Sequence, residues 1–183
     1  KANQNIHVIN IDDQNTKYFF EIPAKKIITF GLENGDINTK NTQIHLQMLG
    51  DFNKYNALAA VAVATNYGIS LEICKKALEK IKGIPGRMEV VSKNPLVVVD
   101  YAHTPEQLEK VYQSLLSSNE ILNHKSKISN LICVLGSWGG GRDKWKRPVL
   151  GKIAGQYCKE IIITNEDPYN EDTLEIMEQV ASG

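Results

Sequence analysis

The residues with the clearest chemical potential lie in Gly136-Ser-Trp-Gly-Gly-Gly-Arg-Asp-Lys-Trp-Lys-Arg-Pro148, directly after the apolar run Leu131-Ile-Cys-Val-Leu135. Three consecutive glycines let backbone approach a ligand with no side chain in the way. Five charged residues follow within seven positions, and Pro148 suits the first turn of a helix. A strand, a glycine turn, clustered cations and a helix start together make an anion site. No Gly-Lys-Ser or Gly-Lys-Thr follows the glycines, so this is not a Walker A loop. The competing reading is a surface turn with solvated charges.

Three further groups of residues could contribute. Asp100-Tyr-Ala-His-Thr-Pro105 puts a carboxylate and an imidazole on one strand-to-helix turn. Asp100 could accept from a ribose and His103 could donate to a phosphate or an amide, although Thr104 and Pro105 alone would explain a helix start. In Gly50-Asp-Phe-Asn-Lys-Tyr-Asn56, Asn53 and Asn56 stand three apart at a helix start and so share a face. Their amides both donate and accept, which suits the edge of a planar base; helix capping is the alternative. Arg87, in Gly86-Arg-Met-Glu89, could grip a phosphate bidentately or remain a solvated linker charge.

These residues need elements to position them. Residues 6–48 read as short strands and turns, with strands at 6–11, 26–30 and 44–48. Helices are expected at 52–67 and 71–82, the second capped by Ser70 and ended by Gly83. Pro and Gly interrupt all periodicity at Ile84-Pro-Gly-Arg87, which marks a domain junction and gives domains 1–86 and 87–183. Beyond it, Leu96-Val-Val-Val-Asp100 is a continuous apolar run of the kind buried in parallel sheets. Helices at about 105–116, 148–158 and 173–180 alternate with strands at 130–135 and 160–164. That alternation predicts βαβ units in a doubly wound α/β sheet, with ligands at the carboxyl ends of the strands. Asp100, the glycine turn and Asn165-Glu-Asp-Pro-Tyr169 all fall at such ends.

Composition narrows the partners. The chain has 183 residues, 42% hydrophobic and 23% charged, enough for one or two domains with real cores. Lysine plus arginine equals aspartate plus glutamate at 21 each, so no net field draws it to nucleic acid or an anionic membrane. Cys74, Cys133 and Cys158 lack metal-ligand spacing and read as buried thiols of a reducing, cytoplasmic compartment. No run is long enough to span a bilayer, and no signal peptide opens the sequence. No Gly-x-Gly-x-x-Gly follows an early strand, which disfavours a dinucleotide-dependent dehydrogenase.

Taken in order, residues 50–60, Gly86-Arg-Met-Glu89, Val99-Asp-Tyr-Ala-His-Thr-Pro105, Gly141-Arg-Asp-Lys-Trp-Lys-Arg-Pro148 and Thr164-Asn-Glu-Asp-Pro168 resemble the Mur ligases. These are ATP-dependent amide-forming enzymes of peptidoglycan precursor synthesis, and the resemblance is strongest to members that add the third residue of the stem peptide. It implies the end of the central ATPase domain followed by a Rossmann-like C-terminal domain, truncated. Asn53 and Asn56 would lie near adenine, Arg87 at the phosphates, and Asp100 and His103 on the nucleotide side, with His103 and Arg87 as candidate catalytic residues. Arg142 would hold the carboxylate of the incoming amino acid, and Asp167, Pro168 and Tyr169 fall on the amino-acid-reading motif.

The resemblance further implies ATP and Mg2+ as cofactors, and a UDP-N-acetylmuramoyl-dipeptide and a diamino acid as small-molecule substrates of a monomer. The D-glutamate carboxylate would be phosphorylated and then attacked by the new amino group. The family's phosphate loop, its carbamylated lysine, its UDP-gripping domain and the last C-terminal strands have no counterpart here, so no metal ligand and no ligase activity are expected of these residues alone. Diaminopimelate-adding members carry Asn and Arg where this chain has Asp167 and Tyr169. Losing a cation and gaining an anion favours a terminal ammonium, as in L-lysine, over meso-diaminopimelate, unless Glu166 and Asp167 merely cap a turn. Folylpolyglutamate and cyanophycin synthetases share the chemistry but lack this pair of motifs; a catalytically silent binding module is the alternative of another class.

Overall fold

The computed structural model describes residues 5–48, 50–117, 128 and 130–183. They divide into two compact units, one ending at Pro85 and one starting at Gly86.

In the first unit, β1 (Ile6–Asn10) and β2 (Lys26–Phe30) pair in parallel, from Ile6 opposite Lys26 to Asn10 opposite Phe30. The short helix α1 (Thr16–Phe20) lies on the crossover between them, and α2 (Thr39–Thr42) follows β2. Asn38 starts α2 with a reciprocal cap: its side chain accepts from Asn41 N while the Asn41 side chain accepts from Asn38 N. The long helix α3 (Asp51–Asn66) packs on both strands, burying Ala57, Leu58, Val61 and Ala62 against Ile9, Ile28 and Phe30. Helix α4 (Leu71–Leu78) is capped by Ser70, whose hydroxyl accepts from Ile73 N, as the sequence predicts.

The expected strand at 44–48 does not form. Ile44 to Gln47 is irregular, and its polar groups go elsewhere: His45 N donates to Glu79 Oε1 at 3.2 Å and Gln47 Nε2 to Glu79 O at 2.7 Å. A segment tied to the end of α4 satisfies its hydrogen bonds without a ladder, so alternating side chains do not make it a strand.

The second unit contains β3 (Glu89–Lys93), β4 (Leu96–Val99), α5 (Pro105–Ser117), β5 (Ile132–Leu135), α6 (Lys146–Tyr157), β6 (Glu160–Ile163) and α7 (Thr173–Ala181). Strands β5 and β6 pair in parallel across α6, which is the expected βαβ unit. Helix α6 packs against both α5 and α7, with Leu150, Ile153 and Ala154 meeting a core of Leu108, Val111, Leu115, Ile176 and Val180. Gly151 permits this closeness, since a Cβ there would overlap Val180 O.

Strand β4 departs from expectation. Among the described residues it pairs with β3 alone, antiparallel, across the turn at Asn94 and Pro95. Its side chains alternate between half-buried and exposed, with Val97 and Val99 outward. The preceding residues of β3 offer a partner two residues away, so the apolar run closes a local hairpin. The architecture is nonetheless α/β. No helix among the described residues is long and apolar enough to cross a membrane.

Candidate functional site

Within the second unit, three loops carry the candidate residues. The first follows β4. Asp100 Oδ1 accepts from Ala102 N at 2.7 Å and Oδ2 from Met88 N at 2.8 Å. The carboxylate therefore shapes the turn 100–103 and fastens it to residue 88, which holds a left-handed backbone (φ 47°) beside Arg87. His103 Nδ1 lies 3.1 Å from Tyr101 O. A carbonyl only accepts, so Nδ1 carries the proton in that contact; Nε2 is left an acceptor in the neutral ring and a donor in the charged one. Thr104 Oγ1 accepts from Gln107 N at 3.4 Å, so the capping role read from the sequence exists beside whatever Asp100 and His103 do.

The second loop, 136–145, leaves β5 and rests on the third, 164–172, which leaves β6. Gly139 N donates to Asp167 O at 2.9 Å. A Cβ on Gly139 would overlap Pro168 O, and one on Gly136 would sit 2.7 Å from Thr164 O. The glycines let two backbones touch. The floor beneath is Arg147, wholly buried, whose Nη2 donates to Trp138 O at 2.9 Å and to Glu171 Oε1 at 3.3 Å. Its Nη1 donates to Glu171 Oε2 at 3.1 Å and Gln179 Oε1 at 2.6 Å. Glu171 also accepts from Gly141 N and pairs with Lys144 at 2.8 Å. Hydrogen bonds from Arg147, Lys144 and the Gly141 amide hold its carboxyl down near 2.

A column of rings and cations joins the first loop to the second. The His103 imidazole stacks on the Trp138 indole, with centroids 5.4 Å apart and planes 15° apart. Tyr101 meets His103 edge-on at 5.2 Å and Trp138 at 5.9 Å. Arg87 lies 5.0 Å from the Tyr101 centroid and Arg142 lies 5.2 Å from the Trp138 centroid. Arg87, Asp100, His103 and Arg142 are thus gathered in one region, with Asp167, Pro168 and Tyr169 on the loop packed beneath the glycines. Tyr169 is exposed, takes a left-handed backbone (φ 54°), and lays its ring under Gly140.

Asn53 and Asn56 belong to the first unit. Both lie near the start of α3, but Asn53 is buried and Asn56 exposed. Beside that helix a cavity of about 330 Å³ is lined by Leu32, Glu33, Thr39, Asp51 and Lys54 among others, and by neither asparagine. No three His, Cys, Asp or Glu side chains among the described residues gather as a metal site.

Four residues of this arrangement have a structural role that the sequence does not assign, although Tyr101, Trp138 and Arg147 lie inside the motifs. Arg147 and Glu171 read as two charges among many, and only packing shows which arginine is enclosed. Tyr101 and Trp138 sit inside the motifs, yet their ring contacts depend on how two loops meet.

The fold and these loops define an α/β domain in which two arginines and a histidine-bearing turn gather at a glycine loop, and comparison with known proteins gives its family. Residues 86–183 match the Mur ligase, glutamate ligase domain, and the chain belongs to the Mur ligase family. It is 36% identical over 197 residues to the UDP-N-acetylmuramoyl-L-alanyl-D-glutamate–2,6-diaminopimelate ligase of Bacillus velezensis, across 96% of this chain and 38% of that protein. It is 34% identical to the UDP-N-acetylmuramyl-tripeptide synthetase of Roseiflexus, across 97% of the chain and 38% of the relative. The chain thus spans under two fifths of the length of these relatives. The solved structure of MurF from Acinetobacter baumannii superposes over 98% of this chain and 41% of its own with a TM-score of 0.66; at 24% identity this speaks to fold alone.

Proposed function

We propose that the intact protein carrying this chain is an ATP-dependent acid–amino-acid ligase of peptidoglycan precursor synthesis. It joins a diamino acid to UDP-N-acetylmuramoyl-L-alanyl-D-glutamate through an acyl phosphate. The observation that carries this reading is the packing of the Gly-Arg-Asp loop onto Asp167-Pro168-Tyr169, beside a turn bearing Asp100 and His103, in a chain similar along nearly its whole length to named diaminopimelate ligases.

In this reading the unit from 86 onward receives the nucleotide phosphates and the incoming amino acid side by side. Arg87 meets phosphate oxygens, and His103 presents Nε2 to the nucleotide while its Nδ1 is held by Tyr101 O. Asp100 does its work on the backbone, fixing the turn that presents His103. Arg142, free of any ion pair among the described residues, binds the amino acid's carboxylate and sets its amino group toward the acyl phosphate. Fixed cations near the transferred phosphoryl neutralise charge that grows in the transition state. Mg2+ would assist such transfers; among the described residues no three His, Cys, Asp or Glu side chains gather to hold it, and no step here runs through it. Asn53 and Asn56 are proposed for the adenine edge, and the sequence-read domains 1–86 and 87–183 for the end of the ATPase domain and the C-terminal domain.

The amino acid is read at Asp167 and Tyr169. An exposed carboxylate there, with no arginine, suits the terminal ammonium of L-lysine. The names of the relatives favour meso-diaminopimelate as the second reading. Ligation by the intact protein, with ATP, the UDP-linked dipeptide and each amino acid in separate reactions, decides. Turnover with either supports the ligase; phosphate release with neither discards these substrates. D167N combined with Y169R should shift preference toward meso-diaminopimelate, and an unchanged preference would remove the motif from the specificity argument.

A further inference from the structure

We infer that Trp138 is a positioning residue shared by the two substrate-binding loops, holding His103 with one contact and Arg142 with another. The inference rests on the proposed ligase reading for what those two side chains bind, but its geometry does not.

Among the described residues, Trp138 is the one in ring contact with both: 5.4 Å and near-parallel to the imidazole, 5.2 Å from centroid to guanidinium. The Trp138 backbone is well anchored. Its carbonyl accepts from the buried Arg147, which Glu171 and Gln179 fix in turn, and the next residue, Gly139, is bonded to Asp167 O. Arg142 is the opposite case: a long, exposed side chain with no hydrogen bond or ion pair among the described residues. An arginine head over an indole keeps its five donors outward, so the ring restricts where the guanidinium points without using what it needs for a carboxylate. His103 has one ring nitrogen at Tyr101 O and one free edge, and stacking sets the plane in which that edge is offered. A ligand group at either side chain therefore meets a pre-oriented partner, which lowers the ordering cost of binding.

The chain has two tryptophans, and only Trp138 occupies this place. The test uses the intact ligase. W138A should raise KM for ATP and KM for the amino acid together, each by about three- to tenfold, with kcat much less affected. W138F, which keeps a ring, should recover most of both. A rise in only one KM, or W138F no better than W138A, overturns the inference. A second readout does not need turnover. In protein labelled with 5-fluorotryptophan, the fluorine resonance lost in W138F identifies Trp138. That resonance should move in H103Q and in R142A, and should move again on separate addition of AMP-PNP and of L-lysine or meso-diaminopimelate. A resonance unmoved by H103Q or by R142A sinks the shared role. If neither amino acid is ligated but both variants shift the resonance, the positioning role stands and the proposed substrates fall.

Discussion

Single residues here act mostly through what they fix in place. Arg147 is the clearest case: wholly buried, shared among Glu171, Gln179 and the Trp138 carbonyl, with Nε unbonded. Replacing it leaves Glu171 and a backbone carbonyl short of a donor, and R147M should cost about 3 kcal/mol in urea unfolding. Glu171 gives a pH signature. Its carboxyl, ordinarily near 4.5, is held near 2 in the fold, chiefly by Arg147 and then by Lys144 and Gly141. A depressed acid stabilises the fold fully above its unfolded value and loses that contribution as pH falls through its folded one. Melting temperature should therefore drop between about pH 5 and pH 2, and the drop should be smaller in E171Q, which starts lower at pH 7. Cys158 is the reverse: burial, then neighbouring Cys133, push its thiol up to about 12. Iodoacetamide at pH 8 should alkylate it at least about a hundredfold more slowly than free cysteine, because little thiolate exists.

At the scale of elements, glycines decide where helices and loops can touch. G139A places a methyl on Pro168 O and must push the β5–α6 loop off the β6–α7 loop, carrying Arg142 away from Asp167-Pro168-Tyr169. Amino-acid binding should weaken about tenfold by calorimetry, and ATP binding with it, because Trp138 moves on the same loop and His103 stacks on it. Gly155, inside α6 with nothing near its missing Cβ, is the control: G155A should stabilise by about 0.5–1 kcal/mol. Much at this scale was legible beforehand. Ser70 starts α4, Thr104 caps α5, Pro148 falls in the first turn of α6, and β5–α6–β6 follows the alternation of apolar runs and amphipathic stretches. The failures share a cause. Residues 44–48 and 96–99 have strand-like side chains, but pairing depends on which neighbour arrives: among the described residues none for the first, the local β3 hairpin for the second. α1, α2 and β3 are short and held by caps and turns, so they leave little periodicity to read.

For the whole molecule, apolar surface is the main physical fact. Ile132 and Val134 on β5 and Ile161 and Ile162 on β6 are exposed, Val134 at 65%. A parallel sheet ordinarily has both faces covered. V134K with I162K on the isolated chain should raise its solubility limit and reduce self-association in sedimentation, with helix content unchanged by circular dichroism. The sequence by itself determined the family, the α/β class, the main helices and the loops that carry chemistry, because motif spacing and apolar periodicity are local properties of a chain. Only tertiary structure decided that Arg147 rather than Arg142 is enclosed, that Glu171 organises the glycine loop, and that Trp138 stands between His103 and Arg142. Burial and ring contact depend on which distant segments meet, and no spacing along one strand of sequence encodes that meeting.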